Sequence, residues 1–127
     1  GLQVSETLGG DGDGFDRLLR IEVGNDKGSR SIEATLHRGP RVVRLDGVEL
    51  DFDPGAHILL MNNEDRPGVI GLLGSNLGAA GINIINFSLG ATGDGHALAA
   101  ITGDREVSST QLAGLRTIPG IVSLEMF

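Results

Sequence analysis

His57-Ile58-Leu59-Leu60-Met61, then Asn62-Asn63-Glu64-Asp65-Arg66-Pro67-Gly68, then Val69-Ile70-Gly71-Leu72-Leu73 is the stretch from which the fold is read. Residues 57–61 are a nearly continuous apolar run, suited to a strand covered on at least one face. Pro67 suits the first position of a helix, where its fixed φ and missing N–H cost nothing. Val69, Leu73, Leu77 and Ala80 then recur at helical spacing and make one apolar face. Gly81 predicts the C-terminal stop. Further on, residues 82–89 read as a second strand, Thr92-Gly93-Asp94-Gly95 as a hairpin loop, and residues 96–102 as a third strand. Ser108-Ser109-Thr110-Gln111 fits a capping box with Ser108 as N-cap. Leu112, Leu115 and Ile118 form the buried stripe of the helix that follows. Pro119-Gly120 stops it, and residues 121–126 are the last strand. Strand, helix, strand, strand, helix, strand predicts an α+β unit with the ferredoxin-like βαββαβ arrangement over residues 54–127.

Upstream of Pro54-Gly55 the pattern differs. Arg17-Leu18-Leu19-Arg20-Ile21-Glu22-Val23 and Ser31-Ile32-Glu33-Ala34-Thr35-Leu36 flank the turn cluster Asn25-Asp26-Lys27-Gly28, which reads as a hairpin. Ile32, Ala34 and Leu36 are expected on one face. Arg41-Val42-Val43-Arg44-Leu45, the tight-turn pair Asp46-Gly47 and Val48-Glu49-Leu50-Asp51 add two strands. No solid helix is expected before residue 54. Residues 1–53 thus read as an antiparallel β meander with nothing in its own sequence to bury its apolar face against. It is expected to be incomplete. A chain that starts with Gly1 rather than Met also reads as a cut or processed piece.

Composition removes several function classes. There is no cysteine, hence no disulfide framework, thiolate metal site or cysteine nucleophile. The net charge is −7, and nucleic acid is not an expected partner because phosphate binding needs a positive face. No apolar run approaches the roughly 20 residues of a membrane span, and no signal peptide is evident. The 21 glycines have no three-residue period, which excludes collagen.

Local motifs are mostly weak. Asp11-Gly12-Asp13-Gly14-Phe15-Asp16 superficially resembles a calcium loop, but Phe15 and Asp16 fall where an oxygen ligand and a glycine are required. His37, His57 and His96 have no metal-ligand spacing, and no metal site is expected. No Gly-x-Ser-x-Gly surrounds any serine. Gly68, Gly71, Gly74 and Gly78 punctuate the predicted helix without forming a dinucleotide fingerprint. They suit either close packing of that helix on its own sheet or a flat stripe approached by another subunit. Residues 62–68 carry more information. They are polar, follow an apolar strand and open onto a helix N-terminus, where free N–H groups favour a carboxylate. Asn63 and Asp65 supply partners for an ammonium or hydroxyl group, a combination suited to a zwitterionic amino acid. The plain alternative is that Asp65 or Asn63 only caps the helix.

Asn63-Glu64-Asp65-Arg66-Pro67-Gly68-Val69-Ile70-Gly71, Gly81-Ile82-Asn83-Ile84 and Leu115-Arg116-Thr117-Ile118-Pro119-Gly120-Ile121 resemble an ACT domain, the small regulatory module of amino-acid metabolism. Together they resemble the C-terminal end of the D-3-phosphoglycerate dehydrogenase family. Gly1-Leu2-Gln3-Val4-Ser5-Glu6 and Arg41-Val42-Val43-Arg44-Leu45-Asp46-Gly47 resemble the end of the intervening, or allosteric substrate binding, domain of its long form. The resemblance implies an intervening-domain part over 1–53, an ACT domain over 54–127, and side-by-side pairing of two ACT domains across a two-fold axis. It also implies feedback control of L-serine biosynthesis, with L-serine bound at the interface. Asn63 and Asp65 of one subunit and Asn83 of the other map onto the family's ligand positions. Arg41 and Arg44 map onto a candidate anion site, beside Glu49 and Asp53 where some members are basic. No catalytic residue maps onto this stretch. The resemblance places the NAD cofactor and the catalytic domains upstream in a cytoplasmic parent oxidoreductase, so this stretch should be inactive alone. Two other readings are a ligand-free ACT oligomerisation module and the regulatory part of an iron–sulfur L-serine dehydratase.

Overall fold

A computed structural model describes residues 3–9, 18–25, 28–36 and 39–127. The chain divides into two compact units, Gly1–Pro54 and Gly55–Phe127. The first is an antiparallel sheet in chain order, β1 (Gln3–Gly9), β2 (Leu18–Asn25), β3 (Gly28–Thr35), β4 (Arg41–Leu45) and β5 (Val48–Phe52). The meander is therefore as expected, with β1 added. Asn25 pairs with Gly28 at the end of the β2–β3 ladder. Asp46 and Gly47 both have positive φ, 50° and 79°, as a two-residue hairpin turn requires. Asp46 Oδ1 also accepts the Ser31 N–H at 2.9 Å. The expected single apolar face of β3 is only partly realised. Ala34 is buried, but Leu36 lies beyond the strand end and is 39% exposed. Glu33 and Thr35, on the opposite face, are both buried. Glu33 tolerates burial because two arginines accompany it, as described below.

The second unit has β6 (His57–Glu64), α1 (Val69–Ala79), β7 (Ile84–Ala91), β8 (His96–Gly103), α2 (Ser109–Leu115) and β9 (Ile121–Met126). Its sheet order is β7-β8-β6-β9, and every neighbouring pair is antiparallel. This is the ferredoxin-like α+β arrangement. Leu59 and Met61 of β6, Ala99 and Ile101 of β8 and Leu124 of β9 pack against Leu73 and Leu77 of α1 and against Leu112, Leu115 and Ile118. Alternation along the strands puts these residues on one face of the sheet, and both helices cover that face.

Four boundaries depart from the sequence reading. β6 does not end at Met61: pairing with β8 and β9 carries it through Asn62, Asn63 and Glu64. The turn into α1 then needs residues 65–68, and Gly68 is the N-cap with φ 94°. Pro67, locked at negative φ, cannot take the cap conformation and lies one residue before it, outside the helix. β7 starts at Ile84 because residues 81–83 close α1. Gly81 has φ 79°; its N–H donates to Gly78 C=O at 3.0 Å, and the Ile82 N–H donates to Leu77 C=O at 2.9 Å, a Schellman motif. α2 ends at Leu115, and the chain continues in tight turns closed by Thr117 N–H to Gly114 C=O and Ile118 N–H to Leu115 C=O.

The capping box is present in both directions. Ser108 Oγ accepts the Gln111 N–H at 3.1 Å, and Gln111 Oε1 accepts the Ser108 N–H at 2.9 Å. Ser108→Ala should lower stability by about 1 kcal/mol, read as a lower urea midpoint with an unchanged slope.

Candidate functional site

The strand period that buries Leu59 and Met61 also buries Asn63, which is 2% exposed. Its Nδ2 donates to the Glu64 carbonyl at 2.9 Å. Its Oδ1 is buried with no protein partner. An unmatched buried amide oxygen costs about 1–3 kcal/mol unless something donates to it. Asn62, facing the other side of β6, also has a buried Oδ1 without a partner. The next turn brings Asp65 and the start of α1. The Asp65 N–H donates to Gly95 C=O at 3.0 Å, so the β7–β8 hairpin abuts this strand end. At that hairpin tip the Thr92 hydroxyl donates to Asp94 and holds its carboxyl below the ordinary aspartate range. His96 Nδ1 lies 3.3 Å from the same carboxylate.

The plain capping explanation for Asn63 and Asp65 does not hold, because no side chain caps α1. The first turn of α1 also has no acidic residue, leaving its N–H groups and partial positive charge unmatched by its own sequence. Arg66 is held by Glu64, Nε to Oε2 at 2.6 Å. The turn before β9 closes over this corner: Glu64 N–H donates to Gly120 C=O at 2.7 Å. A Cβ on Gly120 would stand 2.6 Å from Val69 Cγ2.

Asn83 lies elsewhere in the same unit. Asn63 is in register with Ala97, and Ala97 with Ala91. Ile84 is in register with Gly103, and Gly103 with His57. Asn83, just before Ile84, is therefore at the His57 end of the sheet, six residues along β6, or roughly 20 Å. Within one copy of the chain Asn83 is thus far from Asn63 and Asp65. The Asn83 backbone is tied to the residue after β8: Asn83 N–H donates to Asp104 Oδ1 at 3.0 Å. This bond, followed by the Arg105 guanidinium, holds the Asp104 carboxyl below the ordinary range. The linkage sign is the acidic one: the bond is intact at neutral pH and is lost only as pH falls through that lowered value.

The glycines of α1 do not pack its backbone on its own sheet. A Cβ at Gly71, Gly74 or Gly78 would meet nothing within 4 Å, so the close-packing explanation fails. These glycines also lie inside α1 rather than in a turn before it. That arrangement offers no cradle for a dinucleotide pyrophosphate.

Arg41 and Arg44 both face carboxylates. Arg41 Nε is 2.7 Å from Asp51. Arg20, Glu33, Arg44 and Glu49 are successive cross-strand neighbours on β2 to β5, forming a ladder of alternating charge. Glu33 pairs with Arg20 at 2.8 Å and also with Arg44, which reaches Glu49 at 3.3 Å. The hydrogen bond that Arg44 donates to Glu33 is the main cause raising the Arg44 pKa. An anion binding at Arg41 and Arg44 would have to compete with three carboxylates, Asp51, Glu33 and Glu49.

Among the described residues, no group of three or more His, Cys, Asp or Glu is placed to hold a metal. Asp11 to Asp16 and His37 lie outside the described residues. No described helix is long and apolar enough to cross a membrane. A cleft lined by Ile58, Leu77, Ile82 and Val107 encloses only about 10 Å³, about one water's worth. The polar end of β6 is the better candidate site.

A four-stranded βαββαβ sheet whose first strand ends in buried amides beside an uncapped helix is consistent with an ACT-like α+β module. The chain is homologous to the D-3-phosphoglycerate dehydrogenases. It is 30% identical to that of Bacillus subtilis over 99% of its own length and 28% identical to that of Methanocaldococcus jannaschii over 84%. With the Synechocystis enzyme the identity is 27% over 95%. It spans about a quarter of the Bacillus protein, 25%, and 21–22% of the other two, a coverage consistent with a C-terminal part of the enzyme. No protein-family model matches the chain. Of the site features, Asn63 burial is missed by a reading that ends the strand at Met61; the signal available was its period of two with Leu59 and Met61. The roles of Gly68, Gly95 and Gly120 had no signal beyond glycine itself.

Proposed function

We propose that residues 54–127 are an ACT domain and that the chain is a regulatory part of a D-3-phosphoglycerate dehydrogenase, binding L-serine between two copies. The observation that carries this reading is Asn63: a buried amide whose Oδ1 lacks a donor, one turn before an uncapped helix N-terminus. An amino acid offers an ammonium to Oδ1 and Asp65, and a carboxylate to the α1 N–H groups. The separation of Asn83 from this corner supports a site completed in trans. β7 is an edge strand with Ile85 64% and Leu89 43% exposed. Two β7 strands lying antiparallel across a two-fold axis would bring the Asn83 end of one beside the Asp65 end of the other. The open glycine flank of α1 suits the same approach. Residues 1–53 would then be the end of the intervening domain. The module would control NAD-dependent chemistry carried by the parent enzyme's catalytic domains, in the cytoplasm.

Calorimetric titration of the chain with L-serine, alongside sedimentation, tests this reading. A dimer at tens of micromolar that takes up L-serine in preference to D-serine is expected. A dimer that gives neither heat nor thermal shift with millimolar serine, glycine or alanine would make it a bare oligomerisation unit.

A further inference from the structure

Asn83 lies between the Schellman turn and β7, outside both elements, and its own side chain is exposed. Two contacts fix its peptide from one residue. The Asn83 N–H donates to Asp104 Oδ1 at 3.0 Å, and the Asp104 N–H donates back to the Asn83 carbonyl at 3.0 Å. Asp104 is in turn oriented by Arg105, whose Nε and Nη2 reach Oδ1 and Oδ2 at 3.3 and 3.4 Å. The neighbouring Ile82 is buried against Gly103, where an added Cβ would be 3.1 Å from Ile82 Cγ2. The backbone of Asn83 is thus pinned while its amide is left pointing to no partner element of its own unit. An amide presented to a ligand held by another subunit must be fixed in this way, because a binding group that has to be ordered on binding loses affinity.

We propose that Asp104 is a positioning residue for ligand binding, acting through the backbone of Asn83; this rests on the reading of Asn83 as a ligand contact. In this role Asp104 acts without touching the ligand: its Oδ1 accepts from the Asn83 N–H and from Arg105.

The test combines L-serine calorimetry with amide hydrogen exchange on the whole chain, for wild type, Asp104→Ala, Asp104→Asn, Asn83→Ala and the Asn83→Ala/Asp104→Ala double variant. Asp104→Ala should weaken L-serine binding about ten-fold and speed exchange at the Asn83 amide. Asp104→Asn keeps an acceptor oxygen and should rescue binding to within about three-fold of wild type. In the Asn83→Ala background, Asp104→Ala should have no further effect, because the two act as one unit. Equal losses in both backgrounds, or unchanged exchange at Asn83 in Asp104→Ala, would overturn the role of Asp104 while leaving serine binding intact. Wild type that binds no L-serine would overturn the underlying reading, and the positioning role with it.

Discussion

Gly120→Ala should destabilise the second unit by about 2–5 kcal/mol. Two costs add at this position. Gly120 has φ 94°, a left-handed conformation that costs an L-residue roughly 1–2 kcal/mol. The new Cβ would also stand 2.6 Å from Val69 Cγ2 and 3.1 Å from Arg66 Nη2, and overpacking of a fixed apolar neighbour costs about 1–3 kcal/mol. Val69 is buried at the start of α1, so it has little room to yield. Gly93→Ala is the matched control: its φ is 87°, but a Cβ there meets nothing within 4 Å. It should lose only the conformational part. Urea unfolding of the two variants separates the terms. Equal midpoints would mean that the corner around Gly120 is looser than its geometry indicates. A loss of this size is a large fraction of the stability of a small domain, so Gly120→Ala should also lose ligand binding at temperatures where Gly93→Ala retains it.

Asp65→Ala should weaken L-serine binding ten- to a hundred-fold with little change in stability. Asp65 is exposed, and its hydrogen bond to Gly95 C=O runs through its backbone N–H, which alanine preserves. What is lost is a charge-assisted bond to the ligand ammonium, roughly 1.5–3 kcal/mol. Asn83→Ala should weaken binding comparably, again without unfolding, since the Asp104 contacts to residue 83 use backbone atoms. Asn63→Ala is a different kind of change. It removes a buried side chain and leaves a cavity in the core, so its loss of binding would be mixed with a loss of stability.

Much of this was legible in the chain because hydrophobic period and turn chemistry agree. Val69, Leu73 and Leu77 face the core as their spacing requires, and the Ser108 capping box forms as written. The misreadings at the end of β6 and the start of α1 share one cause. Tertiary pairing extended β6 past its apolar run, since β8 and β9 flank Asn62 and Asn63 on both sides. A polar residue can lie in a strand when its neighbours supply backbone partners, and polarity alone then misplaces the strand end. That extension moved the first helical residue from Pro67 to Val69, behind the Gly68 cap, and put Asn63 in the core. The Glu33 ladder was hidden for a related reason: an acidic residue between apolar ones reads as an outward position, and only the register shows arginines directly across from it. The distance from Asn83 to Asp65 required the strand order, which local pattern does not contain.

That distance makes the central claim directly testable by complementation. Asp65→Ala and Asn83→Ala each damage every site of a pure dimer. If the site takes Asp65 from one copy and Asn83 from the other, a mixed dimer carries one intact site and one doubly damaged site. Random exchange after mixing equal amounts should therefore restore wild-type L-serine affinity to about a quarter of the sites, read by calorimetry as a small population of tight binding absent from either variant alone. A mixture that binds no more tightly than its two components, under conditions where labelled subunits are seen to exchange, would contradict a serine site shared between copies.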